Sequence, residues 1–445
     1  MAKGPPELIA RLTSGAENAP DASALITGGE TLGRAALLGR IQGGVQQGAH
    51  SETRSVAPGD PGTWVPWLAA SALSGNRFVF DDGGIGTPPP IGAQRSAAVS
   101  PETPFLVVTT SGSTGPPRYL LRDSAAWLRC FLAEEAFLGL RPEDRILALG
   151  APSFSLTPYV ALRAVHLGAC LGVLETVRPQ AARSLSRQLD PTVIYGVPPL
   201  VALLARTLSE SRTVRLVVTG GARLTPVQMA AIRRTWPRAR LVTSYGTAET
   251  SYLAMNGDPD PQDPSDMGDL FPGVSARSDG AAGFRVRTPY AALGRQQSGE
   301  GTLTLLTDEA GWIPIPDAAA VSGTGRLVLY GRSDDRLNLG GALVDPGPVE
   351  RALETLAWVD EAVLLAVPDA ERSDSAQAIL IPAGALPGNA AAAVSARLRD
   401  LDSVPRPRAV HVLSGAPPRT PGGKLDRRAL AQALAADTLP GWRLI

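Results

Sequence analysis

The 445-residue chain almost lacks lysine: only Lys3 and Lys424 occur, against 40 arginines. Generic positive charge has been given to arginine, whose planar fork differs from the compact ammonium that lysine carries on a flexible stem. A lysine that persists against this bias, in the glycine-rich stretch Pro421-Gly422-Gly423-Lys424, points to chemistry that needs a mobile point charge. Cysteine is nearly absent as well. Cys130 and Cys170 are too few for a disulfide framework or a zinc site, and both read as reduced core residues in apolar, helix-like surroundings. Charge of one sign is missing: 42 basic and 42 acidic residues cancel, with no Lys/Arg-rich run. Nucleic acid and anionic membrane are therefore not expected partners. Long apolar runs are missing too, since residues 160–177 are interrupted by Arg163 and His166, so no membrane span is expected. The first residues carry no apolar core of a secretory signal, and the expected compartment is the cytoplasm.

What is present is a globular composition, 44% apolar and 19% charged, with length for two or three structural units. From residue 105 onward, short β-branched runs alternate with helix-length amphipathic segments. Strands are expected at 105–109, 145–149, 192–197, 215–219 and 240–243, with helices at 123–138, 158–168, 198–208 and after Thr225. That alternation predicts an α/β fold with a mostly parallel, doubly covered sheet, whose ligands gather beyond the carboxyl ends of its strands. A second unit of α+β pattern is expected over 334–445, with helices near 346–357 and 389–400, strands near 359–368, 376–382 and 408–413, and a last helix from about 425. The N-terminal unit then spans 1–333, with residues 1–100 reading as a looser, compressed subdomain.

Three segments carry candidate chemistry, two of them directly after expected strands. Thr110-Ser111-Gly112-Ser113-Thr114-Gly115 follows a strand and combines glycines, which let backbone N–H groups converge, with hydroxyl donors, as a phosphate cradle requires. It lacks the Gly-Lys-Ser/Thr ending of a Walker A loop. Ser244-Tyr245-Gly246-Thr247-Ala248-Glu249 offers a tyrosine to stack on a heterocycle and a carboxylate to hold Mg2+ beside phosphates. Gly311-Trp312-Ile313-Pro314-Ile315-Pro316-Asp317 offers one carboxylate, for ribose hydroxyls or for capping a turn.

Taken with Gly220-Gly221-Ala222, Gly331-Arg332-Ser333-Asp334, Gly340-Gly341 and Pro418 to Lys424, these motifs in this order resemble the adenylate-forming superfamily of acyl-CoA synthetases, peptide-synthetase adenylation domains and luciferases. The resemblance runs nearly end to end, since Ala24 to Leu32 is similar to the family's opening strand pair. It implies a large N-terminal domain with a small mobile C-terminal lid. It also implies a two-step reaction: a carboxylate attacks the α-phosphate of ATP, and a thiol then displaces AMP. By resemblance, Thr110 to Gly115 and Arg118 would hold the β- and γ-phosphates, and Glu249 would hold Mg2+. Tyr245 and Gly246 would face adenine beside Gly220, Gly221 and Ala222, while Asp317 and Arg332 would hold the ribose. Asp334 would be the hinge, Gly340 and Gly341 the loop that meets pantetheine, and Lys424 the cation that reaches the α-phosphate.

The sequence also departs from the family pattern. Arg118 stands for the usual lysine, Tyr119 adds bulk where glycine is usual, and Ala248 removes a hydroxyl for which Thr247 is the candidate replacement. Ser155 stands where amino-acid-activating relatives have an aspartate, so an α-amino acid is not expected. Phe154, Ser155, Val197, Ser251 and Tyr252 would border a pocket for an aryl or medium acyl carboxylate. The acceptor is CoA or the phosphopantetheine of an acyl or peptidyl carrier protein, and the compact length is similar to o-succinylbenzoate-CoA ligases. The competing reading is an adenylate-binding partner protein that has lost full adenylation.

Overall fold

The computed structural model describes residues 6–48, 53–74, 76–80, 105–110, 118–261, 263, 265–278, 283–297, 303–332, 337–339, 342–369, 373–401, 406–420 and 422–445. Its centre is an eleven-stranded sheet. Cys170–Leu174, Arg145–Leu149, Val193–Gly196, Leu216–Gly220 and Arg240–Thr247 run parallel through the middle. Antiparallel strands extend it, among them Ser251–Asn256, Asp266–Leu270, Arg326–Arg332 and Asp317–Val321. The expected β-branched runs are therefore strands, and each faces two ways. Ile146, Ala148, Val193, Tyr195, Leu216 and Val218 point into one core, whereas Leu147, Leu149, Ile194 and Val217 point into the other. A strand buried on both faces must be apolar at every position, which is why these segments read as continuous rather than alternating.

One core is closed by helices Pro179–Leu189, Pro198–Thr207 and Pro226–Thr235, each begun by a proline whose missing N–H is no loss at that position. The other is shared with a six-stranded sheet that includes Arg77–Phe80, Leu106–Thr110, Arg118–Arg122 and Gly294–Gln297. Helices Pro61–Ser74, Ser124–Leu138 and Leu156–Leu167 contribute to this shared core. Asp123 caps the second of them, its carboxylate accepting from the Ala126 N–H at 2.6 Å, and Gly139 ends it in the left-handed conformation.

Four expectations are corrected. Residues 1–100 are not loose where described: Ser23–Ile26 and Thr31–Gly33 pair as expected, and Trp64, Leu68 and Phe78 are fully buried. Cys170 lies on a strand, not in a helix, although both cysteines are buried. The strand expected to end at 243 continues to Thr247 and turns back through Ser251, so the tyrosine motif is itself strand and hairpin. Tyr119 sends its ring into a small core with Val79, Val107 and Leu121, which removes the bulk expected beside the phosphate loop.

The C-terminal unit is a separate four-stranded sheet of Val359–Asp369, Ser373–Pro382, Ala409–Leu413 and Gly441–Arg443. Helices Gly347–Glu354 and Ala390–Arg399 contribute to one core around it, and Arg427–Ala435 to the other. The expected division at 333/334 and the hinge at Asp334 lie outside the described residues.

Candidate active site

The carboxyl ends of adjacent parallel strands bring two motifs together. Gly220 is register partner to Ser244, and the Ser244 hydroxyl donates to the Thr219 carbonyl at 3.1 Å. A Cβ on Gly220 would stand 2.3 Å from that hydroxyl, so no side chain fits between the strands there. Gly221 then turns with φ +79°, a left-handed conformation that favours glycine, and leaves Gly221 and Ala222 exposed at the rim.

The hairpin beyond Ser244 is held from below by a side chain that no motif marked. Arg122, fully buried at the end of its strand, donates to the Tyr290 carbonyl at 2.9 Å and also to the Ala248 carbonyl. Burial lowers its pKa to about 10, so it remains a cation under ordinary conditions. Thr247 is engaged with Thr250, hydroxyl to hydroxyl at 3.1 Å, and the Glu249 carbonyl accepts from the Ala292 N–H at 2.7 Å. The backbone around Glu249 is thus fixed on both sides while its side chain stays half-buried. Nothing in the local sequence marks Arg122, an arginine at the end of a strand.

Tyr245 is buried, and its hydroxyl donates to Asp317 Oδ2 at 2.5 Å. Asp317 and Arg332 face one another across antiparallel strands as register partners. The structure therefore joins Tyr245, Asp317 and the Arg332 backbone, and Tyr245 follows Ser244, the register partner of Gly220. Thr110 and Arg118 are likewise register partners, at the ends of the antiparallel strands Leu106–Thr110 and Arg118–Arg122. Ser111, Gly112, Ser113, Thr114 and Gly115 lie outside the described residues, as do Gly340 and Gly341.

Lys424 comes to the same rim from the C-terminal unit. Thr420 N–H donates to the Lys424 carbonyl at 2.8 Å and Gly423 N–H to the Thr420 carbonyl at 2.8 Å, making a tight hairpin. Asp426 caps the following helix through the Ala429 N–H at 2.9 Å. A Cβ on Gly221 would lie 3.8 Å from Lys424 Cε. A Cβ on Gly422 would meet the Phe154 ring at 3.2 Å, and one on Gly423 would meet Val197 Cγ2 at 3.0 Å. Phe154 and Val197 thus meet the lysine hairpin, with half-buried Ser155 next in sequence to Phe154.

The other two expected pocket residues are engaged elsewhere. Tyr252 is a core ring between Tyr159 and Phe271, with centroids 5.4 and 5.5 Å away. Ser251, at φ +59°, donates to the Tyr290 carbonyl at 3.1 Å. Among the described residues no group of three His, Cys, Asp or Glu could cage a metal ion. A single carboxylate at Glu249 does suit Mg2+, which takes one or two carboxylates together with substrate phosphates and water.

Residues 18–280 match the family model described as AMP-binding enzyme, and the chain belongs to that family. It is 26% identical over 294 residues to YhfT of Bacillus subtilis, an uncharacterized acyl–CoA ligase, covering 64% of this chain and 60% of that protein. The chain spans between 56% and 60% of the length of the first curated relatives it matches. Among solved structures, ATP-bound MatB from Rhodopseudomonas palustris superposes with TM-score 0.77 at 19% identity, covering 97% of this chain and 99% of that one. O-succinylbenzoate coenzyme A synthetase (MenE) from Bacillus subtilis in complex with AMP gives TM-score 0.74 at 16% identity, over 94% and 97% of the two chains. At such identities the likeness establishes the fold.

Proposed function

We propose that this member of the AMP-binding enzyme family couples a carboxylic acid to ATP, releasing pyrophosphate, and then passes the acyl group from the adenylate to the thiol of CoA. The observation that carries the reading is the approach of Lys424 Cε to Gly221, at the rim where two glycine-bearing strand ends meet. A cation held there would neutralise charge building on the α-phosphoryl oxygens as the carboxylate attacks and pyrophosphate leaves. The residues around it fit the remaining tasks. Thr110 to Gly115 with Arg118 would receive the β- and γ-phosphates. Glu249, its backbone fixed by Ala292, would hold Mg2+ beside them. Tyr245 would lie against adenine with Gly246, Gly220 and Ala222. Its hydroxyl on Asp317 would orient that carboxylate, with Arg332, toward the ribose.

Swinging at Asp334 would withdraw Lys424 and bring Gly340 and Gly341 to the pantetheine arm for the second step. The acyl–CoA ligase name of YhfT supports CoA as the acceptor, and a carrier protein's phosphopantetheine is the alternative. Phe154 and Val197, with Ser155 where an ammonium-binding aspartate would stand, suit an aryl or medium acyl carboxylate. The likeness to MenE supports an o-succinylbenzoate-like acid within that class. The buried Tyr119 ring weakens the competing reading of an adenylate-binding partner without adenylation.

The test is pyrophosphate release from ATP and Mg2+ across a panel of carboxylic acids, repeated with CoA and with a pantetheinylated carrier protein. Release with at least one aryl or medium acyl acid, accelerated by CoA, is expected. No release with any acid from folded protein would overturn the reading.

A further inference from the structure

The two structural units meet through buried carboxylates, and those carboxylates are arranged around the lysine hairpin. Arg206, at the end of helix Pro198–Thr207, donates to both oxygens of Asp360, each at 2.8 Å. Arg223, one residue beyond Ala222, donates to both oxygens of Glu354 at 2.8 and 2.9 Å and lies 3.5 Å from Glu350. All three acids belong to the C-terminal unit, and each is less than a tenth exposed. Bidentate guanidinium–carboxylate pairs fix orientation as well as distance.

The same acids, or their chain neighbours, also grip the hairpin. Glu361, next to Asp360, accepts from Arg419 at 2.6 Å, and Arg419 in turn donates to the Gly423 carbonyl at 3.0 Å. Glu350 accepts from Arg427, three residues beyond Lys424, and from the Leu364 N–H at 3.0 Å. Helix Pro198–Thr207 carries Arg206 at one end, while Leu200 and the preceding Val197 meet Gly423 at the other. Arg206 and Arg223 are thus each joined to the hairpin that carries Lys424, one through Asp360, Glu361 and Arg419 and the other through Glu350 and Arg427. If the C-terminal unit swings away, Glu354 and Asp360 lose these bidentate partners, so the pairs favour the pose in which they form.

We propose that Arg223 and Arg206 are positioning residues for Lys424. Their bidentate pairs with Glu354 and Asp360 latch the C-terminal unit in the register that lays Lys424 across Gly221, and so serve the adenylate-forming step and not the thiol-transfer step. The inference rests on the proposed function and deepens it, by assigning which contacts select the first of its two poses.

Arg223→Ala and Arg206→Ala should each slow pyrophosphate release by on the order of 10–100-fold, the scale expected when a catalytic group is displaced by about an ångström. Thioester formation from presynthesised acyl-adenylate and CoA should stay within about twofold of wild type, since the latch is released in that step. Because Arg223→Ala leaves Glu354 buried and unpaired, the pair Arg223→Met with Glu354→Gln provides a variant without the stranded charge, and it should give the same split. Equal loss of both half-reactions, or full pyrophosphate release from the folded double variant, would overturn the latch.

Failure of the functional reading is distinguishable, because wild-type protein would then release no pyrophosphate at all. The latch is in that case read by the distance between spin labels at Leu132→Cys and Trp442→Cys, both exposed positions on different units. Labelling is selective because burial pushes the Cys130 and Cys170 thiols up to about 12 and about 11. A distance distribution that broadens on Arg223→Ala supports the latch, and an unchanged one overturns it.

Discussion

At the scale of single residues, the site depends on how charge is delivered. An arginine carries its cation as a rigid fork that matches one carboxylate in one orientation, and this chain uses it that way at Arg206, Arg223 and Arg419. A group that must follow oxygens through a displacement needs a small charge on a flexible stem, and in the proposed reaction the exposed Lys424 would supply it. Lys424→Ala should therefore lower pyrophosphate release by ~10²–10³-fold, the usual loss when one preorganised charge contact to a developing oxyanion is removed. Thioester formation from presynthesised acyl-adenylate should be nearly unaffected. Rapid-quench measurement of the two half-reactions checks this, and equal loss in both would remove Lys424 from the phosphoryl step. Lys424 was legible in the sequence because the chain's composition isolates it. Arg122 was not, because nothing local distinguishes an arginine at a strand end from one on a surface. Only the fold reveals that it holds the Ala248 and Tyr290 carbonyls.

At the scale of elements, burial pattern decided what could be read. Four of the parallel strands and two of their covering helices, Pro198–Thr207 and Pro226–Thr235, were legible because a strand buried on both faces needs a nearly continuous apolar run, whereas strand Cys170–Leu174 and helix Pro179–Leu189 were not. The hairpin from Arg240–Thr247 to Ser251–Asn256 was not, since its turn uses a serine at positive φ where glycine or asparagine would have signalled it. Helix Leu156–Leu167 is another element whose polar residues are hidden by the fold. His166 stacks on Phe131, with Nδ1 3.3 Å from the Leu8 carbonyl, and faces Arg163, Arg11 and Glu135. Burial first, and then the nearby Arg163 charge, lowers its pKa from 6.5 to about 4. Because the folded value is depressed, neutral His166 contributes stability that is present above pH 6.5 and is lost as pH falls through about 4. The gap between 6.5 and about 4 corresponds to about 3 kcal/mol by pH 4. Urea midpoints at pH 7 and pH 4 for wild type and His166→Gln cancel the contribution of the buried carboxylates common to both. Wild type should lose about 3 kcal/mol more than the variant across that interval. Parallel pH curves would mean that His166 titrates normally.

At the scale of the whole molecule, two units with separate cores share one site, so their stabilities should be coupled through whatever fills it. The N-terminal unit brings Gly221, Tyr245 and Asp317, and the C-terminal unit brings Lys424 on a hairpin in contact with Phe154 and Val197. A non-hydrolysable acyl-adenylate mimic, such as an acyl-sulfamoyl adenosine, would lie between them. At a hundredfold excess over its Kd it should stabilise the native molecule by about 2.7 kcal/mol, by mass action alone. The distribution of that gain is the informative quantity. A ligand touching only the large unit would raise one calorimetric transition and leave the unfolding of the C-terminal sheet where it was. A ligand that also pairs with Lys424 adds to the contacts already made by Arg206–Asp360 and Arg223–Glu354, so the two transitions should rise together and merge. In Lys424→Ala the mimic should still raise the transition of the large unit, while that of the C-terminal sheet reverts toward its unliganded temperature. Scanning calorimetry of wild type and variant, each with and without the mimic, measures this directly. If both transitions rise equally in the variant, the coupling runs through the domain interface alone and Lys424 makes no energetic contact with the adenylate.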